Sequence, residues 1–262
     1  MNIGFVGLGK VGTYIASSLL REGFNVTVYN RTLTKAKQFA KKFHSEYAKS
    51  IQDLCKNKKI IILCVDTEQA VETLTNQIKH YLAPNTSIID HSTINYEISK
   101  KIHKSLKKQK ISFLDAPITG GQQGAQSSIG GIMVGGDKET FAKTKKIIQS
   151  YTTTLEYMGA SGQGQLTKIA NQICSFNIKQ GLLEALDFAN KYKIPRKKLV
   201  EILLSGSAFS LQLTKNLQSI NQKKYEKERH YARKEIGIAI KNAKSKKLRL
   251  HCTEQLAKLI RT

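Results

Sequence analysis

The chain has no tryptophan, three prolines and four cysteines in 262 residues. Those cysteines, Cys55, Cys64, Cys174 and Cys252, are widely scattered, with no CxxC pair and no Cys/His cluster at metal-ligating spacing. A disulfide scaffold and a structural zinc module are therefore excluded, and reduced thiols in a cytoplasmic protein are expected. Long apolar runs are also missing. The longest, such as Ile60 to Val65, fall far short of the ~20 residues that span a bilayer. The opening Met1–Gly9 has no basic n-region and runs straight into a strand-like stretch, so no secretory leader is expected. Acid is scarce too: 19 Asp and Glu stand against 43 Lys and Arg, for a formal net charge of +24.

So basic a chain raises the question of nucleic acid. Residues 1–160 hold 22 basic and 12 acidic side chains, residues 161–262 hold 21 and 7, and the stretch 191–262 supplies 19 and 5 of these. The local pattern is helical. Ile98, Ile102 and Leu106 form an i, i+4, i+8 stripe, while Lys100, Lys101, Lys104, Lys107 and Lys108 occupy the other faces. That is a solvated helix face. No zinc-finger spacing or RNP aromatic motif accompanies it, so neither nucleic acid nor membrane is an expected partner. With 40% hydrophobic and 24% charged residues, the chain has enough apolar material for a folded core.

Residues 1–160 alternate between Ile/Val-rich runs and amphipathic stretches. The pattern predicts strands at Asn2–Val6, Asn25–Tyr29, Lys59–Leu63, Thr86–Asp90, Ile111–Leu114, Gly131–Gly135 and Thr154–Met158. Helices are predicted at 10–22, 33–44, 68–81, 95–109 and 138–150. Such alternation implies an α/β fold with a doubly wound parallel sheet covered on both faces. Near Ser161-Gly162-Gln163-Gly164 the pattern breaks. A long apolar-rich segment from Gln165 to Tyr192 follows and reads as the central helix of a second domain, all-helical from there on. The expected organisation is a Rossmann-type dinucleotide-binding domain over 1–160 and an all-α substrate and dimerisation domain over 161–262.

Gly7-Leu8-Gly9-Lys10-Val11-Gly12 fits GxGxxG, follows the strand Ile3–Val6 and opens a helix, which is the context the dinucleotide fingerprint requires. Gly7 permits the tight turn, Gly9 lets a pyrophosphate approach the backbone, and Gly12 allows helix to pack on strand. The helix N-terminus then turns its free N–H groups to the phosphates. In NAD binders the second strand ends on an acid that grips the ribose. Here it ends Tyr29-Asn30-Arg31-Thr32. A guanidinium pairs with a 2′-phosphate where a carboxylate would repel it. NADP(H) is therefore the expected coenzyme, with NAD(H) as the alternative, and Asn30, Arg31 and Thr32 join the cofactor-binding set.

Several further motifs occur in a fixed order: Asp90-His91-Ser92-Thr93-Ile94; Asp115-Ala116-Pro117-Ile118-Thr119-Gly120-Gly121 with Gly124-Ala125; Gly162-x-Gly164-x-x-x-Lys168-x-x-Asn171-Gln172; and Lys234-Glu235-Ile236-Gly237-Ile238-Ala239. Together with the glycine turn they resemble the β-hydroxyacid dehydrogenase family. That family includes 3-hydroxyisobutyrate dehydrogenase, tartronate semialdehyde reductase and the glyoxylate/succinic semialdehyde reductases, with 6-phosphogluconate dehydrogenases as more distant relatives. The match runs from residue 1 to about 240. The chain departs from the family pattern by Thr at 119 for Ser, Gln at 172 for Asn and Glu at 235 for Asp.

The resemblance implies an oxidoreductase that moves hydride between the nicotinamide and a small β-hydroxy acid or semialdehyde acid. It assigns Lys168 as general acid and base, and Thr119, Gly120 and Gly121 as the carboxylate cradle. It places Thr93 near the nicotinamide ribose, and Cys64, Val65, Gln69 and Lys234 beside the cofactor. No metal is implied. Lys168, Asn171 and Gln172 stand at i, i+3 and i+4 and so share a helix face, where the two amides can donate to substrate oxygens or hold the amine. The longer Gln172 puts substrate choice in question. Reduction of glyoxylate, succinic or tartronate semialdehyde is the alternative within the enzyme class. The family's closing helices look curtailed, since only 28 residues follow Lys234 and they are dense in lysine. That feature keeps open a reading of another class, a non-catalytic nucleotide-binding or basic-surface binding module. A homodimer or tetramer is the expected assembly.

Overall fold

The computed structural model describes residues 1–120, 129–210, 213–214 and 222–260. The chain divides into two compact units, Met1–Lys168 and Ile169–Thr262. In the first, the described residues form one sheet of nine strands: β1 (Asn2–Val6), β2 (Asn25–Tyr29), β3 (Glu46–Tyr47), β4 (Ile60–Leu63), β5 (Ser87–Asp90), β6 (Ser112–Asp115), β7 (Ile118–Thr119), β8 (Ile129–Gly135) and β9 (Thr152–Gly159). The spatial order is β3-β2-β1-β4-β5-β6-β8-β7, with β9 paired to β8. Pairing is parallel from β3 through to β6 and antiparallel where β8 meets β6 and β7. The first six strands thus follow the doubly wound order, and the strand order reverses between β1 and β4, where such sheets bind ligands beyond their carboxyl ends.

Both faces of the sheet are buried, and alternate residues of single strands show it. Ile60 and Ile62 of β4 pack on one side with Ile15 and Leu19 of α1 (Lys10–Arg21) and Ala36 and Phe39 of α2 (Leu33–Phe43). Ile61 and Leu63 pack on the other side with Leu54 of α3 (Ile51–Cys55), Val71 and Ile78 of α4 (Glu68–Ile78), and Ile102 and Leu106 of α5 (Tyr96–Lys107). Burial on both faces accounts for the continuous Ile-rich strands. A further helix, α6 (Lys138–Gln149), sets Ile147 and Ile148 into the first of these layers. Of these elements β3, α3 and β7 are absent from the sequence reading. They span two to five residues, too few for a repeating apolar pattern to reveal.

The long helix α7 (Gln163–Lys191) begins in the first unit and continues through the second, which adds α8 (Arg196–Ser205), α9 (Gln222–Ser245) and α10 (His251–Leu259). Small clusters hold the second unit. Ile169 packs with Ile238 and Ala239, and Ala232 and Ile236 of α9 pack with Leu256, Ala257 and Ile260. The apolar segment expected as a central helix is α7, and along it Ile178 is 45% and Phe188 60% exposed; none of the residues of α8 is buried. Among the described residues no helix is long and apolar enough to cross a membrane.

Candidate active site

The glycine turn between β1 and α1 shows three different reasons for three glycines. Gly7 has φ +100, and a Cβ there would lie 2.2 Å from the Cys64 carbonyl oxygen. A Cβ on Gly12 would lie 2.0 Å from the Gly7 oxygen, so α1 sits against the turn that precedes it. A Cβ on Gly9 would meet nothing within 4 Å. The first and third glycines are therefore required by the chain's own packing, and the middle one faces open space. Gly9 is also the N-cap of α1, where no side chain caps the helix and no acid lies in the first turn. Open space beside uncapped N–H groups, at the strand-order reversal, fits a dinucleotide pyrophosphate. Lys10 is exposed and Val11 half-buried at the start of the helix, with Leu8 buried just before it.

Neighbouring strand ends fasten this turn. Gly7 N–H donates to the Tyr29 carbonyl (3.0 Å), and Leu8 N–H donates to Asn30 Oδ1 (3.0 Å). Asn30 Nδ2 in turn donates to the Thr32 carbonyl (3.1 Å), so the amide knits the end of β2 to the turn. Arg31 and Thr32 are exposed just beyond it. On the other side, Cys64 N–H donates to the Val6 carbonyl (2.9 Å) and Val65 N–H to Ser92 Oγ (3.0 Å). Burial, with Asp90 and Asp66 adding to it, pushes the Cys64 thiol up to about 12. It stays protonated and serves as packing rather than as a nucleophile.

From Ser92 the connection runs to α7. Gln165, wholly buried, donates from Nε2 to the Ser92 carbonyl (2.8 Å) and accepts at Oε1 from Ile94 N–H (3.1 Å). The half-buried Thr93 lies between those two bonds. The N-terminus of the helix is held by Asp115, whose Oδ1 accepts from Gly162 N–H (2.7 Å) and Oδ2 from Gln165 N–H (3.0 Å). Burial pushes the Asp115 carboxyl up, and the two backbone donors oppose that shift. The close fit explains the second glycine pair: Gly162 has φ +92, and a Cβ on Gly164 would lie 2.5 Å from the Met133 oxygen. One turn further along α7 stands Lys168, only 7% exposed.

Sequence reasoning assigned roles to neither Asp115 nor Gln165. Asp115 had a readable signal, an acid closing a strand inside a quoted motif. Gln165 had none.

His91 has no catalytic geometry. Its Nδ1 lies 2.7 Å from the Ala116 carbonyl and its Nε2 3.0 Å from Tyr151 Oη. A carbonyl only accepts, so Nδ1 carries the proton and Nε2 accepts from the tyrosine. Burial depresses this imidazole to about 4 and holds it neutral.

The other expected residues are not brought into this chain of bonds. Thr119 belongs to β7, opposite Gly131, and a Cβ on Gly120 (φ +89) would lie 2.8 Å from Gly130 Cα. Close strand approach thus explains Gly120 independently of any ligand. Gly121, with Gly124 and Ala125, lies outside the described residues. Gln69 is exposed, with its Nε2 3.4 Å from Thr73 Oγ1. Asn171, Gln172 and Lys234 fall in the second unit. There Asn171 Nδ2 donates to Gln172 Oε1 (2.8 Å), and Gln172 Nε2 donates to Glu235 beside the half-buried Lys234.

Comparison with known proteins covers nearly the whole chain. Residues 2–159 match the family described as the NAD binding domain of 6-phosphogluconate dehydrogenase. Residues 162–262 match the one described as the NAD-binding domain of NADP-dependent 3-hydroxyisobutyrate dehydrogenase. An uncharacterised oxidoreductase of Shewanella frigidimarina is 33% identical over 247 residues, 92% of this chain and 85% of that protein. The mitochondrial 3-hydroxyisobutyrate dehydrogenase of Mus musculus is 30% identical over 208 residues, 78% of this chain and 62% of that one. In structure, the 3-hydroxyisobutyrate dehydrogenase of Mycobacterium tuberculosis, solved with L-serine, superposes with a TM-score of 0.87 at 21% identity. The superposition covers 99% of this chain and 92% of that one.

Proposed function

The chain belongs to the β-hydroxyacid dehydrogenase family, of 3-hydroxyisobutyrate dehydrogenase type, and is an NAD(P)-dependent oxidoreductase; from that premise we propose that it interconverts a short β-hydroxy acid and its carbonyl form, with Lys168 carrying the proton. The nicotinamide, when bound, supplies or accepts the hydride at C4. In reduction Lys168 Nζ gives its proton to the carbonyl oxygen as negative charge develops there, and in oxidation it takes the hydroxyl proton. The observation that carries this reading is the burial of Lys168 at 7% exposure, three residues along α7 from the side chain that grips the Ser92–Ile94 backbone. A lysine that merely snorkels leaves its ammonium in water, and lysine is otherwise seldom buried.

The remaining assignments extend the same reading. Arg31, exposed at the end of β2 where no acid stands, pairs with a 2′-phosphate and favours NADP(H). Thr119 and the Gly120–Gly121 backbone receive the substrate carboxylate. A second copy of the chain covers the exposed Phe188, Tyr192, Ile202 and Phe209, which are 60%, 69%, 68% and 61% accessible.

Two measurements test the proposal. First, 3-hydroxyisobutyrate, L-serine, glyoxylate, and succinic and tartronate semialdehydes are assayed with both coenzymes by nicotinamide absorbance. Second, Lys168→Met, which keeps length and apolar packing, is compared with the wild type on the best substrate. The variant is expected to fold and bind coenzyme while kcat falls about 100-fold or more. Lys168→Arg is not expected to rescue it, since a guanidinium does not release its proton near neutral pH. Retention of most turnover by Lys168→Met would refute the assignment.

A further inference from the structure

Gln165 is the only wholly buried side chain amide the described residues place between the α7 helix and the loop after β5. We propose that Gln165 is a positioning residue, fixing Lys168 against the Ser92-Thr93-Ile94 backbone and so setting where the proton donor stands. The inference rests on the assignment of Lys168 as acid and base. Three observations support it.

The first is the chemistry of the amide. Ile94 presents a buried N–H that needs an acceptor, and Ser92 presents a carbonyl that needs a donor. A carboxamide offers one of each on a single rigid plane, whereas an ionised carboxylate only accepts. Glutamine is thus the side chain of this length that satisfies both sides. Its two bonds bracket Thr93, so the backbone on either side of that residue is held by one group.

The second is the anchoring of Gln165 itself. Its own N–H donates to Asp115 Oδ2, and the other oxygen of that carboxylate takes Gly162 N–H. The first turn of α7 is therefore fixed to the end of β6 before its side chain reaches the loop. The loop end is equally fixed. Ser92 N–H donates to Asp90 Oδ1 (2.9 Å), Ser92 Oγ accepts from Val65 N–H, and Asn95 N–H donates to Glu68 Oε1 (2.6 Å). Gln165 thus bonds a helix start held at the end of β6 to a loop held at the end of β5.

The third is spacing. Lys168 lies three residues beyond Gln165 on the same helix and on the neighbouring part of its surface. Any slip of the helix start against the loop therefore moves the ammonium by a comparable amount. Displacement of a reacting group by about 1 Å is enough to cost on the order of 100-fold in rate.

The test uses Gln165→Leu, which keeps most of the volume and removes both bonds, and Gln165→Glu, which keeps the shape and loses the donor when ionised. In coenzyme-free protein, exchange of the Ile94 amide is followed by NMR. Its protection is expected to fall at least tenfold in the Leu variant while amides of α1 are unchanged. For either variant kcat is expected to fall about 10- to 100-fold. Coenzyme KM should move less than threefold, because the glycine turn is untouched. The decisive comparison repeats Gln165→Leu in a Lys168→Met background. There it should lower kcat by less than twofold, because its effect acts through the lysine. An equal fold-loss in both backgrounds, unchanged kcat in the single variants, or unchanged Ile94 exchange overturns the proposal. If Lys168→Met alone keeps its turnover, the acid–base assignment fails by itself, and Ile94 exchange still reports whether the crosslink exists.

Discussion

Acidification should destabilise this protein through His91, and the size of the effect follows from its surroundings. The imidazole is 4% exposed, donates from Nδ1 to Ala116 and accepts at Nε2 from Tyr151. A second proton would have to enter at Nε2, displacing the tyrosine donor and leaving a cation in a low-dielectric site. Burial accordingly lowers the folded-state value from 6.5 to about 4. Between those limits the unfolded chain binds more protons than the folded one, so stability is full above about pH 6.5 and is lost as pH falls toward 4. At about 1.4 kcal/mol per unit, that interval corresponds to about 3 kcal/mol. Asp115, raised by burial, acts with the opposite sign: its folded form takes up a proton first, so mild acid relieves a charge the fold tolerates poorly. The comparison must cancel that contribution. His91→Gln does so, since an amide can donate to Ala116 and accept from Tyr151 without titrating. Urea unfolding of both proteins from pH 7 to pH 4 should show the wild type losing about 3 kcal/mol more than the variant. Parallel curves would show that the imidazole is not held neutral by burial and would refute the reasoning.

Two other perturbations separate packing from ligand contact. Gly9→Ala should leave Tm unchanged, since its Cβ meets nothing within 4 Å, but should weaken coenzyme binding at least tenfold. Gly12→Ala should cost about 1–3 kcal/mol in stability, because its Cβ would meet the Gly7 carbonyl. A Gly9 variant with lowered Tm and normal coenzyme affinity would reverse those roles. Arg31→Ala should weaken NADPH by about 1.5–3 kcal/mol for a lost charge-assisted contact and NADH much less. Equal losses in titrations of the two coenzymes, or a wild type that prefers NADH, would remove the case for a 2′-phosphate partner.

The doubly wound half of the fold was legible because its signals are local. Strand β4 is four consecutive apolar residues buried on both faces. The stripe Ile98, Ile102 and Leu106 repeats within one helix, and the glycine turn sits between a strand and a helix in adjoining sequence. What surrounds α7 is not legible for a related reason. Apolar residues such as Ile178 and Phe188 mark a surface that is to be covered, but not what covers it. Likewise the approach of Gly120 to Gly130 depends on where the chain returns ten residues later, which no local pattern shows.

Sequence separation marks the limit. Gly12 meets Gly7 five residues away, so the chain itself brings the pair together and a spacing rule can describe it. Gln165 meets Ile94 and Ser92 across 71 and 73 residues, and Asp115 meets Gly162 across 47. No periodicity or spacing can encode those contacts. A motif written as glycine, glycine and lysine with variable positions between them passes over the glutamine. Yet the lysine's placement depends on that glutamine, because an ammonium on a four-carbon stem acquires a defined position only from what holds its helix. The residues proposed for the chemistry can thus be named from a motif. The bonds around them become visible only in the folded chain, and a variant with the motif intact and Gln165 changed is where the two can be told apart.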